Sequence, residues 1–149
     1  MRHLLDSDSL SDLYEPASTG HRNITRRVAA LDDSDLVFVS ILAVYELEYG
    51  YANAPEEKKL ILRQRISSIQ TDFSILPLTP ESARHFGSLK GRLRSVRQLS
   101  KKGIKSHNVD LMLAATAITE GCILVSADTI YSDLQRLDPT LRIADWLAD

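Results

Sequence analysis

NVDLMLAATAITEGCILVSAD, residues 108–128, decides the fold class that this sequence predicts. Its first half has the apolar spacing of a buried helix, Gly121 ends that helix, and Cys122 to Ser126 forms a short, continuously apolar strand. Asp110 lies near the start of the helix and Asp128 follows the strand. A carboxylate near apolar surroundings is costly unless something compensates its charge, so these two acids require an explanation.

Strands and helices alternate outward from this segment along the whole chain. His3 to Leu5, Leu36 to Val39 and Leu141 to Ala144 are predicted strands, and Ser74 to Leu78 is a weak one. The clear strands are apolar throughout, which is typical of a parallel sheet covered on both faces. We therefore predict an α/β fold, a three-layer α/β/α sandwich with a central, mostly parallel sheet, in a single domain over residues 1–149.

Predicted helices connect these strands. Ser7 or Asp8 caps the first helix. Another predicted helix begins after the N-cap Ser40 and ends near Ala52. The longest predicted helix begins at Pro80, which suits a first helical turn, and ends near Gly103.

Composition and charge exclude several classes of protein. With 26% charged and 44% hydrophobic residues, the 149-residue chain has an ordinary globular composition. The longest uncharged apolar run, Leu36 to Tyr45, is about half a membrane span, so we expect a cytoplasmic protein without a membrane segment. Cys122 is the single cysteine, which excludes an internal disulfide. A net charge of −2 argues against coating nucleic acid by bulk attraction.

Parallel topology gathers acidic residues at one edge of the predicted sheet. The carboxyl ends of parallel strands share an edge, and open α/β sheets bind ligands there. Asp6 follows the first strand directly, Asp128 follows CILVS, and Glu46 lies about a turn and a half into the helix after LVFV. Asp110 begins the helix that enters CILVS, at the opposite end of a simple unit, so spacing leaves its position open.

Each aspartate, taken singly, has an ordinary role as a helix cap or first-turn residue. Glu46 is different, because it shares a helical face with Leu42 and Tyr49, and no basic residue occurs between Val28 and Glu57. Several carboxylates together repel one another unless a cation neutralises them, and oxygen ligands suit Mg²⁺ or Mn²⁺. Such an ion orients a phosphate ester and helps to generate the attacking hydroxide. The acids therefore predict a metal-dependent hydrolase.

Three segments in this order resemble one family. LLDSDSLSDL is similar to the LLDTN-type opening of PIN domains, VSILAVYELEYG resembles their S…EL…G segment, and NVDLMLAATAITEGCILVSAD resembles their D…IAA.A…lvT.D/N segment. Together they resemble a VapC-type toxin ribonuclease over nearly the whole chain. The resemblance implies a PIN-like α/β/α fold, Mg²⁺- or Mn²⁺-dependent endoribonuclease activity on RNA, homodimerisation, and a small antitoxin protein that blocks the site.

The resemblance also implies which residues form the site. By position in the motifs, the metal-site acids are Asp6, Glu46, Asp110 and Asp128, and Ser126 takes the place of the family's usual threonine. Asp8 stands where the family usually has asparagine. After Asp128 the family often has an acid followed by phenylalanine, and TIYSDL lacks that pattern. Asp133 either replaces this acid in a shifted register or faces solvent.

A second charged feature lies between Ser82 and Asn108, where the chain has eight basic residues and no acidic one. Four of them form a stripe on one face of the predicted long helix. A solvated helix face and a track for the RNA phosphate backbone explain this stripe equally well. The residues of the stripe are Lys90, Arg94, Arg97 and Lys101.

Two further functions stay open at this point. DSDSL after an apolar strand resembles the D-x-D start of haloacid-dehalogenase-type phosphatases, with Asp6 as the phosphorylated nucleophile and Asp8 as the general acid. That reading leaves Glu46 unexplained. The other possibility is a non-catalytic binding module that acts through its antitoxin or operator DNA, but the presence of all four acids gives it no support.

Overall fold

A single sheet of five parallel strands forms the centre of the computed structural model, which describes residues 1–148. Asp149, the last residue of the predicted domain, lies outside the described residues. The strand order is β3-β2-β1-β4-β5, and every pairing is parallel. The predicted α/β class is therefore confirmed. The strands are β1 (Arg2–Leu5), β2 (Leu36–Ser40), β3 (Ser74–Leu76), β4 (Ile123–Val125) and β5 (Arg142–Ala144).

Helices connect consecutive strands and cover both faces of the sheet. The predicted N-cap Ser40 accepts a hydrogen bond from the backbone N–H of Leu42 at 3.1 Å. Gly121 ends its helix with a φ of 62°, a conformation that favours glycine. Within residues 1–148, no helix has the length and apolar character needed to cross a membrane. The helices are α1 (Ser7–Tyr14), α2 (His21–Ala29), α3 (Ile41–Ala52), α4 (Glu56–Asp72), α5 (Pro80–Arg97), α6 (Lys101–Lys105), α7 (Asn108–Glu120) and α8 (Ile130–Leu137).

Two hydrophobic clusters, one on each face of the sheet, form the core. Successive strand residues point to opposite faces, so neighbouring positions in one strand belong to different clusters. One cluster joins strand residues to α5, α6, α7 and α8, and its buried strand members are Leu4, Phe38, Leu76 and Leu124. The other joins strand residues to α1, α2, α3 and α4, and its strand members are Leu5, Val39 and Val125. The predicted three-layer α/β/α arrangement follows from this alternation.

The predicted long helix from Pro80 to Gly103 is wrong in its second part. The helix α5 ends at Arg97, and Gln98 adopts a left-handed conformation with a φ of 52°. Ser100 then caps α6 by accepting a hydrogen bond from the N–H of Gly103 at 3.0 Å. The change of direction buries Ile104 in the core, and this burial explains why the helix does not continue.

Candidate active site

The carboxyl ends of β1 and β4 form the floor of the candidate site. These strands lie side by side at the centre of the sheet, where the strand order changes direction, and open α/β sheets bind ligands at such a point. Leu5 and Val125 are paired in register, and the N–H of Asp6 donates to the Val125 carbonyl at 3.1 Å. Asp6 and Ser126 are therefore held next to each other at this edge.

A cavity of about 220 Å³ opens at this edge and is lined by all four predicted acids. The start of α7 also lines it, so Asp110 lies beside the three acids that strand topology gathers, a placement that spacing alone left open. We call this space the acidic cavity. Its titratable residues are Asp6, Asp8, Glu46, Asp110, Asp128 and Tyr131.

Asp6 is buried and caps the first helix. Its Oδ1 accepts a hydrogen bond from the N–H of Ser9 at 2.8 Å, so Asp6 is the N-cap of α1, as its ordinary role predicts, in place of Ser7 or Asp8. Burial raises the pKa of the Asp6 carboxyl above its ordinary value, while hydrogen bonds from Ser126 and Ser9 act in the opposite direction. The charge of Asp8 adds to the rise in this pKa. The hydrogen bonds to Asp6 therefore do not fully offset the cost of ionising its buried carboxyl.

Asp110 lies in the first turn of α7, between two other polar side chains. The Tyr131 hydroxyl is 3.4 Å from its Oδ1, and His107 Nδ1 is 3.8 Å from its Oδ2. Burial raises the pKa of the Asp110 carboxyl, and the negative charge of Asp128 raises it further. Two of the four acids therefore resist ionisation in the isolated chain.

Ser126 connects the buried part of the site to its exposed part. Its side chain is buried, and its Oγ accepts a hydrogen bond from the N–H of Asp128 at 3.0 Å. Asp128 Oδ1 in turn accepts from the N–H of Ile130, the first residue of α8, at 3.1 Å. These bonds fix the chain around Asp128 while its side chain stays open to the cavity.

Glu46 differs from expectation in its surroundings. It was predicted to share an apolar helical face with Leu42 and Tyr49, but Glu46 is exposed and Tyr49 is 73% exposed. The reason is that α3 turns its buried side, Ala43 and Val44, toward the sheet. Glu46 therefore reaches the acidic cavity from its rim.

The oxygen donors of the acidic cavity fit a hard divalent cation. Within residues 1–148, no three His, Cys, Asp or Glu side chains are grouped so that they could hold a metal ion by themselves. Mg²⁺ commonly keeps several waters and uses only one or two carboxylates, so it does not require such a group. Burial raises the pKa of the Asp6 and Asp110 carboxyls, and a nearby cation would act in the opposite direction.

The structure adds one polar residue to the site and places another elsewhere. Tyr131 lines the acidic cavity although its role was not predicted. The signal in the sequence is the spacing of Ile130, Tyr131 and Leu134, which gives α8 a buried face directly after Asp128. Asp133 does not line the cavity, because it forms ion pairs with Arg97 and Arg136.

Three members of the predicted basic stripe line a common groove. Lys90 and Arg94 of α5 and Lys101 of α6 lie around a space of about 380 Å³, together with Lys105. Arg97 is not among the lining residues and is paired with Asp133. We call this space the basic groove.

Comparisons with known proteins agree with this geometry. The sequence model of the PIN domain matches residues 4–137. Ribonuclease VapC2 of Haemophilus influenzae is 36% identical over 111 residues, which are 73% of this chain and 74% of that protein. The VapBC-1 structure from nontypeable Haemophilus influenzae has a TM-score of 0.77 at 18% identity and covers 99% of this chain and 100% of that one.

A second solved structure, VapBC2 from Rickettsia felis bound to a DNA fragment from their promoter, shows the same fold. Its TM-score is 0.75 at 18% identity, over 98% of this chain and 99% of that one. The extent of the sequence match and the identity to the curated relative together determine the family. The chain is a VapC-type member of the PIN domain family.

Proposed function

We propose that this chain is an endoribonuclease and the toxin of a toxin–antitoxin pair, and that it hydrolyses RNA phosphodiester bonds in the acidic cavity. The observation that carries the proposal is the convergence of Asp6, Glu46, Asp110 and Asp128, which are distant along the chain, on one cavity at the carboxyl edge of the sheet. The name of the 36% identical relative, a ribonuclease, supports the same activity.

We infer that the activity depends on Mg²⁺ or Mn²⁺ and that Asp6, Asp110, Asp128 and Glu46 together would hold the ion, with no more than two of them in direct contact with it. When bound, it supplies neutralisation of the phosphate charge and promotes ionisation of the attacking water. The hydroxyl of Ser126 orients both Asp6 and Asp128 through its hydrogen bonds. The cap of α1 fixes the Asp6 carboxylate, and Tyr131 fixes that of Asp110.

The RNA would be held by the predicted basic stripe, Lys90, Arg94, Arg97 and Lys101. Three of these residues line the basic groove. Arg97 would reach RNA only by giving up its ion pair with Asp133. We further infer that residues 1–149 act as one PIN-like domain in the cytoplasm, as a homodimer that is inhibited by a cognate antitoxin.

The test is cleavage of a purified structured RNA with Mg²⁺ or Mn²⁺ and, in parallel, with EDTA. Asp6→Asn and Asp110→Asn should each lose about 3 kcal/mol or more of transition-state stabilisation, which is a fall in rate of over 100-fold. Asp33→Asn, an exposed aspartate outside the cavity, is the matched control and should cleave normally.

Two results would reject this assignment. Equal cleavage by wild type and by the Asp6 and Asp110 variants would show that cleavage does not take place in the acidic cavity. A trapped aspartyl phosphate on Asp6 would instead favour the phosphatase alternative, because hydrolysis by an attacking water forms no phosphoenzyme.

A further inference from the structure

We propose that the basic groove between α5 and α6 is a binding site for the phosphate backbone of RNA, formed by Lys90, Arg94, Lys101 and Lys105. The inference rests on the proposed ribonuclease function and deepens it by naming the surface that holds the flanking nucleotides. At about 380 Å³ the groove is larger than the acidic cavity, and four of its seven lining residues are cationic.

The cations of the groove are not neutralised by the protein. Within residues 1–148, Lys90, Arg94, Lys101 and Lys105 form no ion pair. The Lys90 ammonium lies 5.3 Å from the centre of the Phe86 ring, and Arg94 Nε donates to the Leu99 carbonyl at 3.3 Å. Both contacts leave the positive charge uncompensated. Four like charges around one space attract an anion of matching extent.

Two glycines keep the groove open. A Cβ added at Gly87 or Gly91 would meet no heavy atom within 4 Å, so packing does not require glycine at either position. Glycine inside a helix costs about 0.5–1 kcal/mol relative to alanine. Both glycines line the groove one helical turn apart. Because neither glycine has a side chain, a bulky ligand can reach the cations. This access is a reason to have glycine here despite its cost in helix stability.

The spacing of the cations suits an extended polyanion. Lys90 and Arg94 are four residues apart on α5, and Lys101 and Lys105 are four residues apart on α6. Such pairs lie on the same helix face with Cβ atoms about 5–6 Å apart. Two helices thus present two short rows of positive charge to one groove.

The groove lies close to the acidic cavity along the chain. Lys105 lies five positions before Asp110, and His107 between them contacts Asp110 at 3.8 Å. The acidic cavity repels phosphate, and the net charge of −2 provides no general attraction. RNA that reaches the cavity therefore needs a local cationic site. This need favours RNA over an acidic protein segment as the occupant of the groove.

Binding can be measured apart from cleavage. The probe is a fluorescein-labelled 20-nucleotide oligouridine, and fluorescence anisotropy in EDTA over a range of salt concentrations reports its affinity. Lys90→Gln/Arg94→Gln and Lys101→Gln/Lys105→Gln should each weaken binding at least tenfold. Each pair should also reduce the slope of log K against log salt by about 1.4, since each phosphate contact to a single strand contributes about 0.7. Arg22→Gln/Lys58→Gln is the matched control and should bind normally, because both cations are exposed, lie outside the groove and form no ion pair with any residue that the structure describes.

The double variant Gly87→Ala/Gly91→Ala separates an effect on RNA binding from an effect on folding stability. It should raise the melting temperature, because alanine favours the helix, and still weaken oligouridine binding by narrowing the groove. A raised melting temperature with unchanged binding would overturn the proposal. So would normal binding by both lysine–arginine variants, or binding of poly-glutamate and not of oligouridine by the wild type. If the wild type binds through the groove but cleaves no RNA with Mn²⁺, the inference stands and the proposed function fails.

Discussion

The N–H of Ser9 donates a hydrogen bond to Asp6 Oδ1 at 2.8 Å, so one carboxylate of the acidic cavity is also the N-cap of α1. The cap stabilises the helix, whereas the burial of the same charge raises its pKa and opposes folding with Asp6 ionised. The two effects can be separated, because asparagine keeps the capping oxygen and removes the charge.

Asp6→Asn should therefore stabilise the metal-free protein while abolishing cleavage. We expect a gain of about 1 kcal/mol in the free energy of unfolding at pH 7.5 in EDTA, a usual size for a stabilising substitution. Urea denaturation measures it. Asp6→Ala is the control, because it also removes the cap and should cost about 1 kcal/mol relative to Asp6→Asn. A metal-free Asp6→Asn protein less stable than wild type would show that the buried charge is compensated.

The stability of the metal-free protein should depend on pH through Asp6 and Asp110. Folding raises the pKa of both groups, so the folded state binds more protons, and stability falls as pH rises from the ordinary value of 3.8 through the raised values. Asp35 and Glu48, whose pKa values are lowered by ion pairs, act in the opposite direction.

The difference between wild type and Asp6→Asn/Asp110→Asn reports mainly on the two acids, because carboxyls that do not interact with them cancel. Urea denaturation in EDTA between pH 4 and pH 8 should show that the free energy of unfolding of the variant increases relative to that of the wild type as pH rises. Adding Mn²⁺ should stabilise only the wild type, since a ligand of the folded state stabilises it by about 2.7 kcal/mol at 100 times its dissociation constant. A difference that does not vary with pH would contradict the assignment.

Local sequence patterns were sufficient to predict most of the fold. The uninterrupted apolar strand Leu36 to Val39 and the helix stop at Gly121 were visible in the sequence, and the structure extends that strand by Ser40. The break at Gln98 was not, because glutamine has no special preference for the left-handed conformation found there. The burial of Ile104 explains the break at Gln98, and burial of this kind depends on the tertiary structure.

The acidic cavity was predicted in part from topology and in part from family resemblance. Asp6 and Asp128 follow adjacent parallel strands, so their proximity follows from the strand order. The position of Asp110 depends on how α7 crosses the sheet, which spacing does not specify. Tyr131 was missed because a buried tyrosine in an amphipathic helix looks like an ordinary core residue.

Tyr131→Phe should impair catalysis by a modest factor. The change removes the hydroxyl that lies 3.4 Å from Asp110 and keeps the buried ring, so the loss is one hydrogen bond of about 1 kcal/mol. We expect cleavage about fivefold slower, with more Mn²⁺ needed for half-maximal rate. Tyr14→Phe removes a hydroxyl bonded to Asp72 at 2.7 Å, outside the acidic cavity, and should change stability without changing the Mn²⁺ requirement. The same Mn²⁺ dependence in both variants would assign Tyr131 to packing alone.

Asp133→Asn should strengthen RNA binding. Asp133 pairs with Arg97 and Arg136, so its neutralisation releases two cations beside the helix that forms the basic groove. Both partners of the Arg97 pair are about one third exposed, and ion pairs of this kind contribute at most about 1 kcal/mol, so folding should be little affected. Oligouridine affinity should rise, and the slope of log K against log salt should become steeper by up to about 0.7 for each arginine that engages a phosphate.

The double variant Arg97→Gln/Asp133→Asn identifies the source of this gain. If the released Arg97 reaches the phosphate backbone, the double variant should lose most of the added affinity and bind much like the wild type. If the gain persists without Arg97, it comes from Arg136 or from the loss of one negative charge, and the predicted role of Arg97 in substrate binding is wrong. An affinity that Asp133→Asn leaves unchanged would show that α8 lies outside the path of the RNA, since a phosphate passing within a Debye length of about 10 Å would respond to the removed charge.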